Sequence, residues 1–141
     1  MAFEGVYSLL PTAFSDAGEL DQGRLRHVVD LFTTKDVHGL AAPGVAGDVA
    51  RLDDRERSAA LETVIATAAG SFPIVAGTTA EGTRSCIAYS RQAKDLGASA
   101  VMTSPPRMAK LTSGAAVRHY KALADAPLAC PTQKGLEWIS V

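Results

Sequence analysis

Several things are scarce in this chain, and each scarcity removes a class of function. No stretch approaches the ~18 consecutive apolar residues of a membrane span, so no transmembrane helix is predicted. The opening "MAFEGVYSLLPTAF" has no basic n-region and carries Glu4, which argues against a signal peptide. Cysteine is limited to Cys86 and Cys130, with no CxxC spacing. That excludes a thiolate metal site and predicts two free thiols in a reducing cytoplasm. The histidines His27, His38 and His119 show no HxxxH-type spacing, so a histidine metal site is not predicted either. There is no Lys-Ser/Thr after a glycine loop and no GxGxxG, which removes the P-loop and dinucleotide fingerprints. Fourteen basic residues meet fifteen acidic ones for a net charge of -1, so nothing draws the chain to nucleic acid or an anionic membrane. Aromatic residues are only 6%, and the core must be built from aliphatic side chains.

What is present is an aliphatic, alternating chain. Hydrophobic residues make up 47% of 141, enough for one domain with a real core. "GVYSLL" is a short apolar run stopped by Pro11 and reads as a strand. Asp21 is a fitting cap for a helix through about Thr34, with Leu25, Val28, Val29 and Phe32 on one face. "GLAAPG" reads as a second strand. A helix from about Leu52 to Ala69 follows, capped by Asp53 or Asp54 with Glu56 early, and striped by Leu61, Val64, Ile65 and Ala68. "FPIVAG" is a third strand. "EGTRSCIAYSRQAKDLG" is a helix closed by Gly97. "ASAVMTSPP" is a fourth strand, a fourth helix begins near Ser113, and "APLACP" starts like a fifth strand. Strands alternating with helices over short connections predict an α/β fold with parallel strands. Two architectures fit: an open doubly wound sheet, or part of a (β/α)8 barrel. Both put function at the C-terminal ends of strands, here residues 10–14, 43–48, 77–79 and 104–108.

The loops at those ends carry little chemistry. "GVAGD", Gly44 to Asp48, presents backbone N–H groups that can face an anion, chiefly at Gly44, Val45 and Ala46; by residue chemistry alone a plain turn is the favoured reading. "AGTTAEGT" offers the hydroxyls of Thr78, Thr79 and Thr83, as ligands or as helix caps. "SPPRM" offers Arg107 to an anion or to solvent. A Schiff-base lysine needs a desolvated position on a strand. Lys35, Lys94 and Lys121 fall on helical segments, Lys110 in a loop, and Lys134 in the irregular tail, so none reads as a nucleophile. Tyr7 can project from the first strand; Tyr89 and Tyr120 read as helix packing residues.

In this order the segments resemble the dihydrodipicolinate synthase / N-acetylneuraminate lyase family. Thr12-Ala13-Phe14, Gly18 and Asp21 stand where that family has a Thr-Pro-Phe-like segment, a glycine and an aspartate before the first helix, with Ala13 in place of the proline. Gly44, Gly47 and Asp48, then Leu52, Glu56 and Arg57, are similar to its Gly-(Ser/Thr)-Thr-Gly-Glu loop and Leu-x-x-x-Glu-Arg helix start. "PIVAGTT" resembles the strand-three motif with Gly77, and "AKDLGASAVMTSPP" the following segment with Gly97, Ala98 and Pro106. The resemblance covers about residues 4 to 126. It implies a (β/α)8 TIM barrel that forms a Schiff base between a strand-six lysine and a 2-keto acid, usually pyruvate, for aldol condensation or cleavage. It implies no metal or cofactor.

The departures matter as much. The two hydroxyl residues that the family sets between the loop glycines, to hold the keto-acid carboxylate and relay protons, are Val45 and Ala46 here. Pro106 is followed by Arg107 and Met108 where the synthase branch has a tyrosine. The Tyr-Asn-x-Pro-like motif of strand five, with its acid/base tyrosine, is not found in "APLACPTQKGLEWISV". The resulting expectation is the first four βα units of a barrel over residues 1–128 and a divergent tail over 129–141, of the kind a frameshift or early stop produces. From Cys130 to Val141 that tail is expected to form neither strand nor helix and to be loosely attached. No catalytic residue is assigned and the family's activity is expected to be lost; the alternative role is a non-catalytic half-barrel module that acts by association with itself as a homo-oligomer or with a full-length relative, or by anion binding at the "GVAGD" and "AGTTAEGT" turns.

Overall fold

In the computed structural model, residues 4–106, 112–126 and 137–140 are described. The elements run β1 (Tyr7–Leu9), α1 (Gln22–Thr33), β2 (Gly39–Ala41), a 3-10 turn (Val45–Gly47), α2 (Asp54–Ala68), β3 (Ile74–Gly77), α3 (Thr83–Leu96), β4 (Ala100–Thr103), α4 (Ser113–Ala124) and β5 (Glu137–Ser140). All strand pairs are parallel, and the sheet order is β1-β2-β3-β4-β5. A doubly wound sheet reverses its strand order at a switch point, whereas a barrel adds each strand beside the last. The sequential order therefore removes the first alternative and leaves a barrel segment.

Local chemistry sets the helix ends. Asp21 accepts the Arg24 amide at 2.9 Å. Asp53 accepts the amides of Arg55 and Glu56 at 2.8 Å each, while Glu56 returns to the Asp53 amide at 2.9 Å, a full capping box. Gly97 ends α3 at φ 101, where a residue with a Cβ is strained.

The main core lies between the helices and the outer face of the sheet. Leu25 and Val29 of α1 and Ala60, Leu61, Val64 and Ala68 of α2 pack with Leu40, Ile74 and Val101 of the strands. The predicted stripes hold, with Val28, Phe32 and Ile65 partly buried at their edges. Each fully buried Leu or Val of this layer contributes about 1.5–3 kcal/mol. The inner face is lined by Ala41, Val75 and Ala100, with Tyr7 and Met102 against them.

The tail corrects one expectation. Glu137–Ser140 forms β5, paired in parallel with β4 through Val101↔Trp138 and Met102↔Ile139. Composition had hidden this, because a strand of four residues pairing with a distant edge leaves no local alternation to read. The expected strand within "APLACP" beyond Ala126, together with Cys130, Arg107, Lys110 and Lys134, lies outside the described residues. Deleting 137–141 removes the outer ladder of β4 and is expected to cost on the order of 2 kcal/mol. Chemical denaturation of the two lengths checks this, and coincident curves would contradict it.

Candidate functional site

Close approach of the strand ends builds the site. Gly44 ends the β2 segment, and its carbonyl accepts the amides of Gly47 at 3.0 Å and Val49 at 3.2 Å, which closes the 3-10 turn. Gly47's carbonyl accepts the Thr12 hydroxyl at 2.7 Å, tying the β1 loop to the β2 loop. A Cβ at position 47 would lie 2.8 Å from that hydroxyl, so the contact requires glycine. The amide of Gly47 is thus committed, and those of Val45 and Ala46 are the ones without a partner inside the turn. Ala46 is exposed and Gly44 is buried.

A cavity of about 380 Å³ opens beside this loop, lined by Gly44, Arg57, Gly77, Thr79, Tyr89 and Ser104 among others. Arg57 is 8% exposed. Its Nη1 donates to the Val49 carbonyl at 3.2 Å, and its Nη2 to the carbonyls of Gly77 and Thr79 at 3.3 Å each. The guanidinium carbon sits 4.0 Å from the centre of the Tyr89 ring, and the Tyr89 hydroxyl donates to Asp54 Oδ1 at 2.5 Å. Burial pushes the Arg57 pKa down, while Tyr89 and Asp54 oppose that. The hydrogen bond to Asp54 pushes the Tyr89 phenol up. One side chain therefore pins the β2–α2 loop, the β3–α3 loop and α3 together. The Leu-x-x-x-Glu-Arg pattern placed Arg57 at a helix start, but nothing local indicated that its donors reach these carbonyls; likewise Tyr89 is more than a packing residue.

The three threonines predicted together are separated. Thr79 lines the cavity, its hydroxyl accepting the Ser104 amide at 3.0 Å. Thr78 is buried and accepts from Ser90 Oγ at 3.1 Å. Thr83 turns away to His119 Nδ1 at 2.9 Å. Cys86 is a free, buried thiol beside Thr103 Oγ1 at 3.1 Å, and burial pushes its pKa up, which favours the thiol over the thiolate. Of the lysines, Lys94 and Lys121 lie on α3 and α4, and none of β1 to β5 contains a lysine.

His119, isolated in the sequence, is 4% exposed between α4 and the start of α3. Burial lowers its pKa from the ordinary 6.5. The unfolded chain then binds the proton more readily than the folded one, so stability is fully present above 6.5 and falls as the pH drops through it. His119→Gln is expected to flatten that slope; denaturant midpoints measured on both sides of the histidine range would show it, and parallel pH profiles would contradict it.

A family model described as the dihydrodipicolinate synthetase family matches residues 2–130. The 4-hydroxy-tetrahydrodipicolinate synthase of Pelobacter propionicus is 36% identical over 124 residues, which is 88% of this chain and 42% of the relative. That of Nitrosospira multiformis is 32% identical over 126 residues, 89% of this chain and 42% of the relative. Among solved structures, the chloride-inhibited dihydrodipicolinate synthase of Acinetobacter baumannii complexed with pyruvate superposes with a TM-score of 0.89 at 29% identity, covering 99% of this chain and 45% of that one. The chain spans less than half the length of the curated relatives it matches. A sequentially ordered parallel sheet, glycine-built loops at its strand ends and a family match over nearly the whole sequence lead to one conclusion: the chain belongs to the dihydrodipicolinate synthetase family and folds as the first βα units of its TIM barrel.

Proposed function

We propose that this chain is the carboxylate-binding part of a Schiff-base-forming 2-keto-acid lyase or synthase and is inactive by itself. The observation that carries this is the Gly44–Gly47 turn after β2 together with the lack of a lysine in the described strands β1 to β5. In a complete pocket the amides of Val45 and Ala46 are the donors that face a keto-acid carboxylate, as backbone donors can at the opening of a turn. The proton relay of the family needs hydroxyls at 45 and 46, and these side chains supply none. Cytoplasmic localisation is part of this reading.

Calorimetric titration with pyruvate tests it, using the natural chain and the double variant Val45→Thr, Ala46→Thr. Two hydrogen bonds to a charged acceptor are each worth on the order of 1.5 kcal/mol, or more than ~100-fold together in a complete pocket. No binding in the millimolar range is expected for either protein, because a carboxylate held at this turn alone, and the two hydroxyls beside it, stay hydrated by water. Millimolar binding by the double variant alone would show an intact pocket lacking only hydroxyls, against this reading.

A second reading, self-association, has one observation in its favour. Among the described strands β1 pairs with β2 alone, and Val6 and Leu9 at that edge are 58% and 45% exposed. An open strand edge beside exposed apolar side chains is a pairing surface. Sedimentation velocity distinguishes a defined dimer from a monomer or from open-ended aggregation.

A further inference from the structure

We propose that α4 is a proton-sensitive catch: it docks on α3 while the ring of His119 is neutral, and it lifts off as a unit when that ring takes up a proton. Little holds α4 in place. It buries His119 and Leu123, one turn apart, whereas α2 buries six side chains. Among the described residues neither hydrophobic cluster draws a member from α4, although α1, α2 and α3 all supply the main one. Its polar links are the 2.9 Å contact of His119 Nδ1 with Thr83 Oγ1 and the Tyr120 hydroxyl donating to the Thr103 carbonyl at 3.5 Å, a long and weak bond. A segment with so few buried apolar contacts opens at a lower free energy than the core.

The main anchor is a titratable ring in a place that tolerates no charge. His119 is 4% exposed, and its Nε2 is shut off from solvent without a hydrogen-bond partner. In either neutral tautomer the ring shares one bond with Thr83 and leaves one uncharged nitrogen unpaired. In the cation both nitrogens carry protons. Nδ1–H still donates to Thr83, but Nε2–H then presents charge where neither water nor an acceptor reaches it, and that costs far more than a neutral orphan. The charged side chains of the open depression beside the ring are Glu81, just ahead of α3, and Arg118 of α4 itself. They are of opposite sign, and burial rather than either charge is what moves the His119 pKa, downward. Tyr120, its aromatic neighbour at 5.4 Å between ring centroids, supplies no counter-charge. Lifting α4 puts the ring in water, where it has the ordinary value of 6.5, so proton uptake favours the open position. Docking is at full strength above that value and weakens as the pH falls through it.

Hydrogen exchange on the full chain tests this, followed residue by residue by NMR as a function of urea between about pH 7.5 and 5.5, with the intrinsic exchange rates divided out. The amides of residues 117–124 are expected to open together, more readily than those of residues 26–33 and with a smaller dependence on urea, the mark of a local opening. Below 6.5 their protection is expected to fall by up to ~10-fold per pH unit, because each opening takes up one proton. The natural chain decides the point. Opening of α4 only together with α1 and at the same urea dependence, or protection of α4 that does not change with pH, would overturn the proposal. His119→Gln has no titrating ring at this position and is expected to remove the pH slope while the local opening persists; an undiminished slope in that variant would equally overturn it.

Discussion

Gly77→Ala is expected to destabilise the protein by about 3 kcal/mol or more, measured as the shift in free energy of urea unfolding. The φ of Gly77 is not the reason; space is. A Cβ at this position would overlap the carbonyl oxygen of Pro43 and come within 3.5 Å of the Gly44 Cα. These are backbone atoms, so no rotamer change relieves the clash. The Pro43 segment is itself held, because the Ala42 amide donates to the Val75 carbonyl at 3.0 Å. Relief would pull the ends of β2 and β3 apart and also move the Gly77 carbonyl, which receives Arg57 Nη2 at 3.3 Å. Overpacking a tight site costs typically about 1–3 kcal/mol, and more where the obstacle is rigid. A loss below ~1 kcal/mol would show that the loops adjust freely.

Arg57→Met is the second large effect, and its sign needs weighing. Methionine recovers the desolvation cost that depresses the guanidinium pKa. Against that, the carbonyls of Val49, Gly77 and Thr79 lose their donors together, and the Tyr89 ring loses its cation. An orphaned buried acceptor costs about 1–3 kcal/mol, and the cavity admits water to some of these groups. The losses outweigh the recovery, and a net destabilisation of about 2–4 kcal/mol is expected. Hydrogen exchange separates this from a general loss of stability: amides of residues 44–49 and 77–79 should exchange faster relative to those of α1. Uniform acceleration across the chain would contradict the role of Arg57 as a clamp on these loops.

The contrast between Asp53 and Arg57 shows what the sequence discloses. Asp53 and Glu56 stand three residues apart and complete each other within one turn, so the cap is written in the local pattern. Gly97 is legible for the same reason: a left-handed helix end favours glycine wherever it occurs. Arg57 finds acceptors 8, 20 and 22 residues away, and His119 meets Thr83 at a separation of 36. Those meetings depend on how loops land after the strands have paired, which no spacing rule encodes. β5 falls in the same class, since its partner is β4 and its own four residues carry no period to read. Strand order was open between two architectures until the pairing closed it, because alternation of helix and strand is common to both. The loop Gly44–Gly47 is intermediate: its glycines mark a tight turn in sequence, but the Thr12 contact that makes Gly47 necessary is visible only in three dimensions.

The central claim is that these residues supply binding geometry without the reacting amine. Reductive trapping tests it most directly: the purified chain is incubated with pyruvate and borohydride, and its intact mass and lysine-bearing peptides are analysed. The five lysines Lys35, Lys94, Lys110, Lys121 and Lys134 provide every possible side-chain site of attachment. An unmodified chain is predicted, with no lysine labelled above the background of a protein unrelated to the family. A stoichiometric adduct at any one of the five would mean that a desolvated, nucleophilic lysine exists here, and that the chain forms the Schiff base by itself.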